Sequence, residues 1–464
     1  MISVVGSNPV EYNSAKRRME MSLPGLNSDR CLSAAVLLIL MAIPGLSFGQ
    51  NLPDLPIIYD FGIGARAMGM GQAHVAACED VSATFYNPAA LAQIRRIEIS
   101  AGFSHLNDKL ETLLFGQGNT STLGSTKLSS VGVAYPFPTY RGSFVLGFAY
   151  NRTINTDSDY FRNGEVPAYY LEGMRDDYRR IVSGVEKYSV SERGGISNWT
   201  VALGTDIAQD VSVGASASYL NGKSDIGYDW VAQWDIPAGA DVVYQQFLRS
   251  DNADISGWTA SFGTLLKVGK IGRIGFTVRL PEYLTLDGDE SSDSIEVGPL
   301  SDLESFDDFA FEDKITLPLS FTAGASAAPV PGLILAFDVR YADWKQIDYA
   351  GPIKIDNLYA YKATTSLRFG AEFMFPFAPL RVRAGYFTEP VAFKFLPDVT
   401  NIGGPMLASI DSDGKFYTLG AGYLFEETFA IDAAWVHGGY ERSVPDYSEK
   451  KTTDKIFVSA GYRF

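Results

Sequence analysis

The chain has 464 residues, 20% charged and 46% hydrophobic, and carries 45 Gly, 25 Tyr and 29 Phe. A helical membrane bundle would need several apolar runs of about 20 residues, and only one such stretch exists, near the N-terminus. A net charge of −16 with no basic tract argues against nucleic acid as a partner.

That one run, from Cys31 to Gly45, follows Lys16, Arg17, Arg18 and Arg30 and is followed by Ser47-Phe48-Gly49. A basic lead, an apolar stretch and small residues before a cut predict a secretory signal peptide over residues 1–49. An N-terminal membrane anchor is the alternative. Removal of the signal leaves Cys78 as the only cysteine, so the mature chain would have no internal disulfide.

Residues 57–95 are rich in Gly and Ala and have no strand alternation. Gly62-Ile-Gly64-Ala-Arg66-Ala67 loosely matches a dinucleotide-binding loop, but no strand–helix–strand unit surrounds it. Asn87-Pro88 reads as a hydrogen-bonded turn.

From residue 96 onward, alternating segments are separated by turn residues. Alternation places one residue set on each face of a strand. Leu333, Leu335, Phe337, Val339 and Tyr341 alternate with Ala336, Asp338 and Arg340; Leu380, Val382, Ala384 and Tyr386 alternate with Arg381, Arg383 and Gly385. Fourteen strands are predicted, near 96–107, 127–136, 142–154, 195–207, 210–223, 253–267, 270–281, 313–328, 331–344, 362–376, 379–391, 413–425, 428–440 and 452–464. Short and long links alternate between them, as in a membrane barrel with short turns on one side and loops on the other. A soluble sandwich would show the same alternation with its faces reversed. The signal peptide, the link parity and the terminal aromatic favour an all-β, fourteen-stranded antiparallel transmembrane β-barrel with a polar lumen.

The long links have character of their own. Leu171, Met174, Tyr178, Ile181, Val182 and Val185 recur at helical spacing and predict a short helix near 168–187. The link at 224–252 carries Trp230, Trp234 and Phe247. With Leu171 and Met174, these residues would form either an apolar outer capture site or a self-packed loop core. The link at 282–312 is acidic, read as a solvated loop or as Ca²⁺ ligands, although Asp287-Gly288-Asp289 lacks the rest of an EF-hand loop.

Arg340, Arg368, Arg381 and Arg383 fall in the set expected to face the lumen. They would bind a substrate carboxylate, or pair with Asp338, Glu372 and Asp432 across neighbouring strands. The three histidines are far apart, and neither H-E-x-x-H nor G-x-S-x-G occurs, so no enzyme and no cofactor is expected. Tyr462 and Phe464 end the chain on an aromatic strand of the kind the barrel-assembly machinery reads.

Three runs in order carry a resemblance: Gly64-Ala-Arg66-Ala-Met-Gly69-Met-Gly71-Gln-Ala73, then Glu79-Asp80-Val-Ser82-Ala83, then Asn87-Pro88-Ala89-Ala90-Leu91. Downstream come Asp338-Val-Arg340-Tyr341-Ala-Asp343-Trp344, Arg383-Ala-Gly385-Tyr386 and Leu419-Gly-Ala-Gly-Tyr423. Together they resemble the FadL/OmpP1/TodX family of outer-membrane transporters. The first run also looks like the PorV-like branch, associated with protein secretion and surface attachment. The resemblance implies a bacterial outer-membrane barrel over 96–464 plugged by a hatch over 50–95, with Gly64, Arg66, Gly69, Gly71, Asn87, Pro88 and Ala89 as the hatch motif. It implies a monomer in outer-membrane lipid that passively takes up long-chain fatty acids or other hydrophobic small molecules by outer capture and sideways release past the hatch. The alternative is a PorV-like partner of a secretion system.

Overall fold

The computed structural model describes residues 61–167, 183–235, 243–298, 301–350, 359–395, 413–444 and 447–464. The predicted signal peptide and the residues Leu171 and Met174 lie outside this set.

Seven staves of the wall come from β1 (Glu98–Leu114), β2 (Gln117–Phe137), β3 (Phe144–Asn155) continued by β4 (Ser158–Pro167), β5 (Ser183–Ala208), β6 (Val211–Asp235), β7 (Val243–Val268), and β8 (Gly272–Arg279) continued by β9 (Glu282–Gly298). β10 (Ser301–Leu317) and β11 (Ser320–Val330) form the next. β12 (Leu333–Asp343) with the short β13 (Asp348–Ala350) follows, then β14 (Tyr359–Tyr361) leading into β15 (Ala363–Met374). β16 (Leu380–Glu389) with β17 (Phe393–Phe395), β18 (Gly414–Phe425), β19 (Phe429–Val444) and β20 (Tyr447–Arg463) complete the set. Neighbours pair antiparallel, and β20 returns to β1 from Glu98↔Arg463 to Leu114↔Tyr447. The result is a closed fourteen-strand antiparallel β-barrel. Closure of β20 on β1 leaves no free edge where every stave is laddered on both sides, and there the backbone polar groups are paired within the wall.

The faces decide between barrel and sandwich. Leu335, Phe337 and Tyr341 are 45%, 38% and 43% exposed, while Asp338 between them is 0% exposed. Large apolar side chains point outward and charged ones inward, as a lipid-facing wall requires. At the short-turn end, Tyr135, Phe137, Phe144, Phe373, Phe375, Phe377, Tyr423, Phe425, Tyr462 and Phe464 form a rim of touching rings. Aromatic rings favour a membrane–water boundary.

Several expected loops are strand. The link at 108–126 is a continuation of β1 and β2 to a two-residue turn, Phe115 (φ 47°) and Gly116 (φ 80°). Two left-handed residues match the strands' twist, and glycine takes the second at no steric cost. Likewise, 224–252 belongs largely to β6 and β7, and the acidic 282–312 is the β9–β10 hairpin, paired from Glu282↔Leu317 to Gly298↔Ser301. Of the expected helix near 168–187, residues 183–187 lie in β5, and 168–182 lie outside the described residues. The stretches 108–126 and 282–312 are dominated by Gly, Ser, Thr and Asp with no regular apolar face, and 224–252 keeps no strict period of two across its length, so hydrophobic period does not reveal them. They need no apolar face where they stand clear of lipid.

Three staves break between two long strands: at Thr156-Asp157, at Leu280-Pro281 and at Pro318-Leu319. Proline has no N–H to give a ladder, which accounts for the last two. Those two breaks face each other: β8 pairs with β11 below them and β9 with β10 above.

Candidate functional site

Residues 61–94 lie inside the ring of strands. Helix α1 (Ala65–Gly69), helix α2 (Ala83–Tyr86) and a 3-10 turn (Pro88–Gln93) are buried almost throughout. Bare wall backbone makes room for them. A Cβ added at Gly214 on β6 or Gly204 on β5 would strike Pro88, and at Gly263 on β7 it would strike Asn87. At Gly275 on β8 it would meet Val75, at Gly370 on β15 Met70, and at Gly385 on β16 Gly71. Glycine on so many staves at one depth sets the bore of the lumen to the plug's own backbone.

Polar contacts then fasten the plug. The Arg66 guanidinium donates twice to Glu372 on β15, at 3.1 and 3.0 Å. Glu372 also accepts from Arg383 Nε at 2.6 Å, and Arg383 Nη1 reaches Asp432 at 2.6 Å. Asp338 Oδ2 accepts the backbone N–H groups of His74 and Val75 at 2.7 and 2.9 Å. Thr418 Oγ1 donates to the Gly69 carbonyl at 3.0 Å and accepts from Gly71 N–H at 3.1 Å. Asn87, fully buried, closes its own turn by accepting from Ala89 N–H at 3.1 Å, and its amide donates to the Val75 and Thr264 carbonyls, both at 3.0 Å. Asn87-Pro88 thus ties two plug segments to β7. Burial raises the Asp80 carboxyl, but His74, Arg66 and Ser82 hold it well below the usual carboxylate range.

The lumen on the far side of the plug is not uniformly polar. Ile154, Ile196, Leu220, Ile255, Leu284, Ile315 and Leu317 form an apolar collar across β3 to β10, joined by Trp344. Opposite, Phe61, Phe387, Phe416 and Phe457 pack with Met68 and Val436. The buried Lys455 Nζ sits 4.9 Å from the Phe61 ring centre and 5.0 Å from that of Phe457. No carboxylate oxygen lies within 4.0 Å of that ammonium among the described residues. It lines a cavity of about 50 Å³ with Phe61, Leu106, Phe416, Asp157 and Glu192. Farther out, Leu110, Tyr160, Tyr188 and Trp230 cluster around a buried Arg162–Glu186 ion pair of 2.6 Å.

The backbone ladder of the wall is interrupted beside this cavity. The β2–β3 ladder runs from Phe137↔Phe144 to Ser130↔Asn151 and stops. Beyond the break at Thr156-Asp157, β4 pairs with β5, and among the described residues no ladder joins it to β2. β4 leans inward instead: the Phe161 carbonyl accepts from the lumen-facing Thr112 of β1 at 3.2 Å. Side chains bridge the gap. Asp157 takes Lys127 Nζ at 3.0 Å, the Ser125 hydroxyl, and Gly194 N–H at 3.0 Å.

The arginines singled out from sequence separate by role. Arg383 is consumed by Glu372 and Asp432. Arg368 lies 3.8 Å from Glu389, and Arg340 is partnered. Arg381 has no carboxylate within 4.0 Å among the described residues and lines a second cavity of about 80 Å³ with Arg66, Asp80, Glu98 and Arg463. Trp230 and Phe247 are directly opposed wall residues of β6 and β7, not loop residues, and Trp234 lies farther along β6, opposite Val243. Trp230 Nε1 donates to Glu186 at 3.0 Å. Tyr462 and Phe464 point outward in the aromatic rim. Lys455, Lys127 and Asp157 were not singled out from sequence; Lys455 matters through Phe61 of the plug, and Lys127 and Asp157 through each other across two staves, which only the fold brings together.

Over residues 60–458 the chain matches the family described as outer membrane protein transport protein (OMPP1/FadL/TodX). No curated protein matches it. Among solved structures it is similar to a FadL homologue of Pseudomonas aeruginosa, at 14% identity and TM-score 0.61 over 87% of this chain and 98% of that one. It is also similar to the Pseudomonas putida toluene transporter TodX, at 14% identity and TM-score 0.59 over 88% and 99%. The CymD monoaromatic hydrocarbon channel follows, at 16% identity and TM-score 0.55 over 87% and 98%. These likenesses show the fold. With that fold, an outward apolar wall and a family match over most of its length, the chain belongs to the FadL/OmpP1/TodX family of outer-membrane transporters of hydrophobic compounds.

Proposed function

We propose that the chain carries a long-chain fatty acid, or another hydrophobic molecule with an acidic head, inward across the outer membrane. The observation that carries this reading is Lys455, a buried ammonium held between aromatic rings with no carboxylate of its own, facing a cavity on the outer side of the plug. A neutral hydrocarbon has no use for such a cation. A carboxylate would offset the cost of burying it. The cavity accommodates the head group, and the tail would displace collar side chains such as Ile154 and Leu220 from one another. Residues 50–95 act in this reading as the hatch and 96–464 as the barrel.

Release would occur sideways, through the wall between β2 and β4. A chain entering lipid there keeps about 0.8 kcal/mol per CH₂ that a watery exit toward the periplasm would forfeit. The stretch from Gln117 to Ser129 has a ladder on its β1 side only, and its Ser125 and Lys127 hold Asp157, which lines the Lys455 cavity; this supports that route.

The test is saturable binding of labelled oleate to the reconstituted protein, with Lys455→Met alongside. Binding to the wild type that the variant loses supports the proposal. Absence of saturable binding of any apolar ligand would overturn it and favour a PorV-like secretion partner.

A further inference from the structure

We propose that His74, Cys78 and Asp80 in the plug form a binding site for one divalent transition-metal ion, with Zn²⁺ the best fit. Their donor atoms all lie within 4.8 Å of one another. The local fold sets this up. Cys78 N–H donates to the His74 carbonyl at 3.0 Å, a single helical turn that puts the two side chains on the same side. Asp80 follows two residues on, its Oδ1 occupied by Ser82, whose backbone N–H donates at 3.0 Å. Its Oδ2 is thereby left facing His74 Nε2 at 3.9 Å.

The independent sign of a missing ligand is His74 itself. It is 0% exposed, and neither ring nitrogen has a hydrogen-bond partner. Buried polar groups are nearly always satisfied, and one left without a partner is destabilising. One imidazole, one thiolate and one carboxylate are the donor types of a tetrahedral zinc site, with metal–ligand lengths of about 2.0–2.3 Å. Those lengths ask the three donors to draw together by about an ångström. Thiolate and carboxylate supply two negative charges to balance the dication. Arg66, 3.8 Å from Asp80, does not depend on that contact, because Glu372 already takes it twice. Asp80 also lines the cavity of about 80 Å³, which offers an entry path and room for water in the fourth position. Cys78 is a free thiol in a compartment that favours oxidation, and a bound metal would protect it.

The experiment uses untagged, refolded full-length barrel in detergent, stripped with chelator and titrated with Co²⁺ and then Zn²⁺. Heat-modifiable gel migration shows that each sample is folded. The expected result is one Co²⁺ per chain with tetrahedral d–d bands and a thiolate-to-cobalt charge-transfer band, displaced by Zn²⁺. Cys78→Ser should lose the charge-transfer band, and His74→Gln should weaken affinity at least about tenfold, since even outer-shell changes cost 10- to 100-fold. Folded wild type without the charge-transfer band, or equal cobalt affinity in all three proteins, would overturn the site and leave His74–Asp80 as a metal-free pair.

Discussion

Lys127 Nζ lies 3.0 Å from Asp157 Oδ2 across the stretch of wall where β2 has lost its ladder to the third stave. A side-chain contact stands there in place of backbone hydrogen bonds. Lys127 is half-exposed, so the pair is worth up to about 1 kcal/mol, or roughly fivefold in the population of an open gap. Asp157→Asn and Lys127→Met should each raise ligand release into lipid by up to about that factor, and high salt should do the same to the wild type. Release into labelled liposomes measures it. A slower rate in both variants would mean the pair forms part of the path and does not restrain it.

Lys455→Met keeps the volume and apolar character of the stem while removing the charge. Oleate affinity should fall by at least about tenfold, since a charge-assisted bond contributes about 1.5–3 kcal/mol. Toluene binding should be unchanged. Competition between the two ligands in one titration reads both effects.

Arg66 is the main ionic tie between plug and wall. Arg66→Ala strands no carboxylate completely, because Glu372 retains Arg383. The loss should still reach about 3 kcal/mol, as removal of one member of a buried pair usually does. The expected outcome is an intact barrel with a loosened plug: faster amide exchange from Ala65 to Ala77 and higher single-channel conductance. Unchanged exchange would show that the glycine-lined fit alone seats the plug.

Gly385→Ala tests that fit directly. The added methyl would overlap the Gly71 backbone. Overpacking costs about 1–3 kcal/mol, so the plug should be displaced or strained while the closed wall still assembles. Heat-modifiable migration should be retained and conductance should rise.

Acid should unseat the plug before it unfolds the barrel. Asp80 is held below its unfolded value of about 4, so its contribution is complete above that pH and declines as pH falls through and below it. Protection factors of the plug amides in metal-free protein at pH 7 and near pH 3, corrected for the intrinsic slowing of exchange in acid, measure this, with lower protection expected in acid.

The fourteen staves were legible because lipid writes its depth into them: Leu335, Phe337 and Tyr341 alternate with Asp338 only where the wall touches hydrocarbon. Above that depth the outer stretches of β1, β2, β9 and β10 have no apolar face, so they read as loops although they are strand. The plug was legible from its Gly-Ala-Arg and Asn87-Pro88 runs, but its seat was not, since Gly214, Gly263 and Gly385 are individually unremarkable strand glycines. Trp230 and Phe247 stood out as greasy residues, yet their placement in the wall depended on how far β6 and β7 extend. Lys455 gains meaning through Phe61, far away in the plug, and Asp157 through Lys127 on another stave, neither of which sequence spacing pairs with it.

The length of β5 has a consequence for where a ligand is first met. It spans 26 residues, Ser183–Ala208, and only about 10 are needed to cross the membrane. At about 3.3 Å per residue and a tilt near 40°, the remainder raises the mouth roughly 40 Å above the lipid. That height is several Debye lengths at physiological salt. Charges at the mouth and charges at the membrane surface therefore do not sense each other, so the entrance is free to diverge toward new molecules in its surroundings without disturbing the part that must insert and stay put.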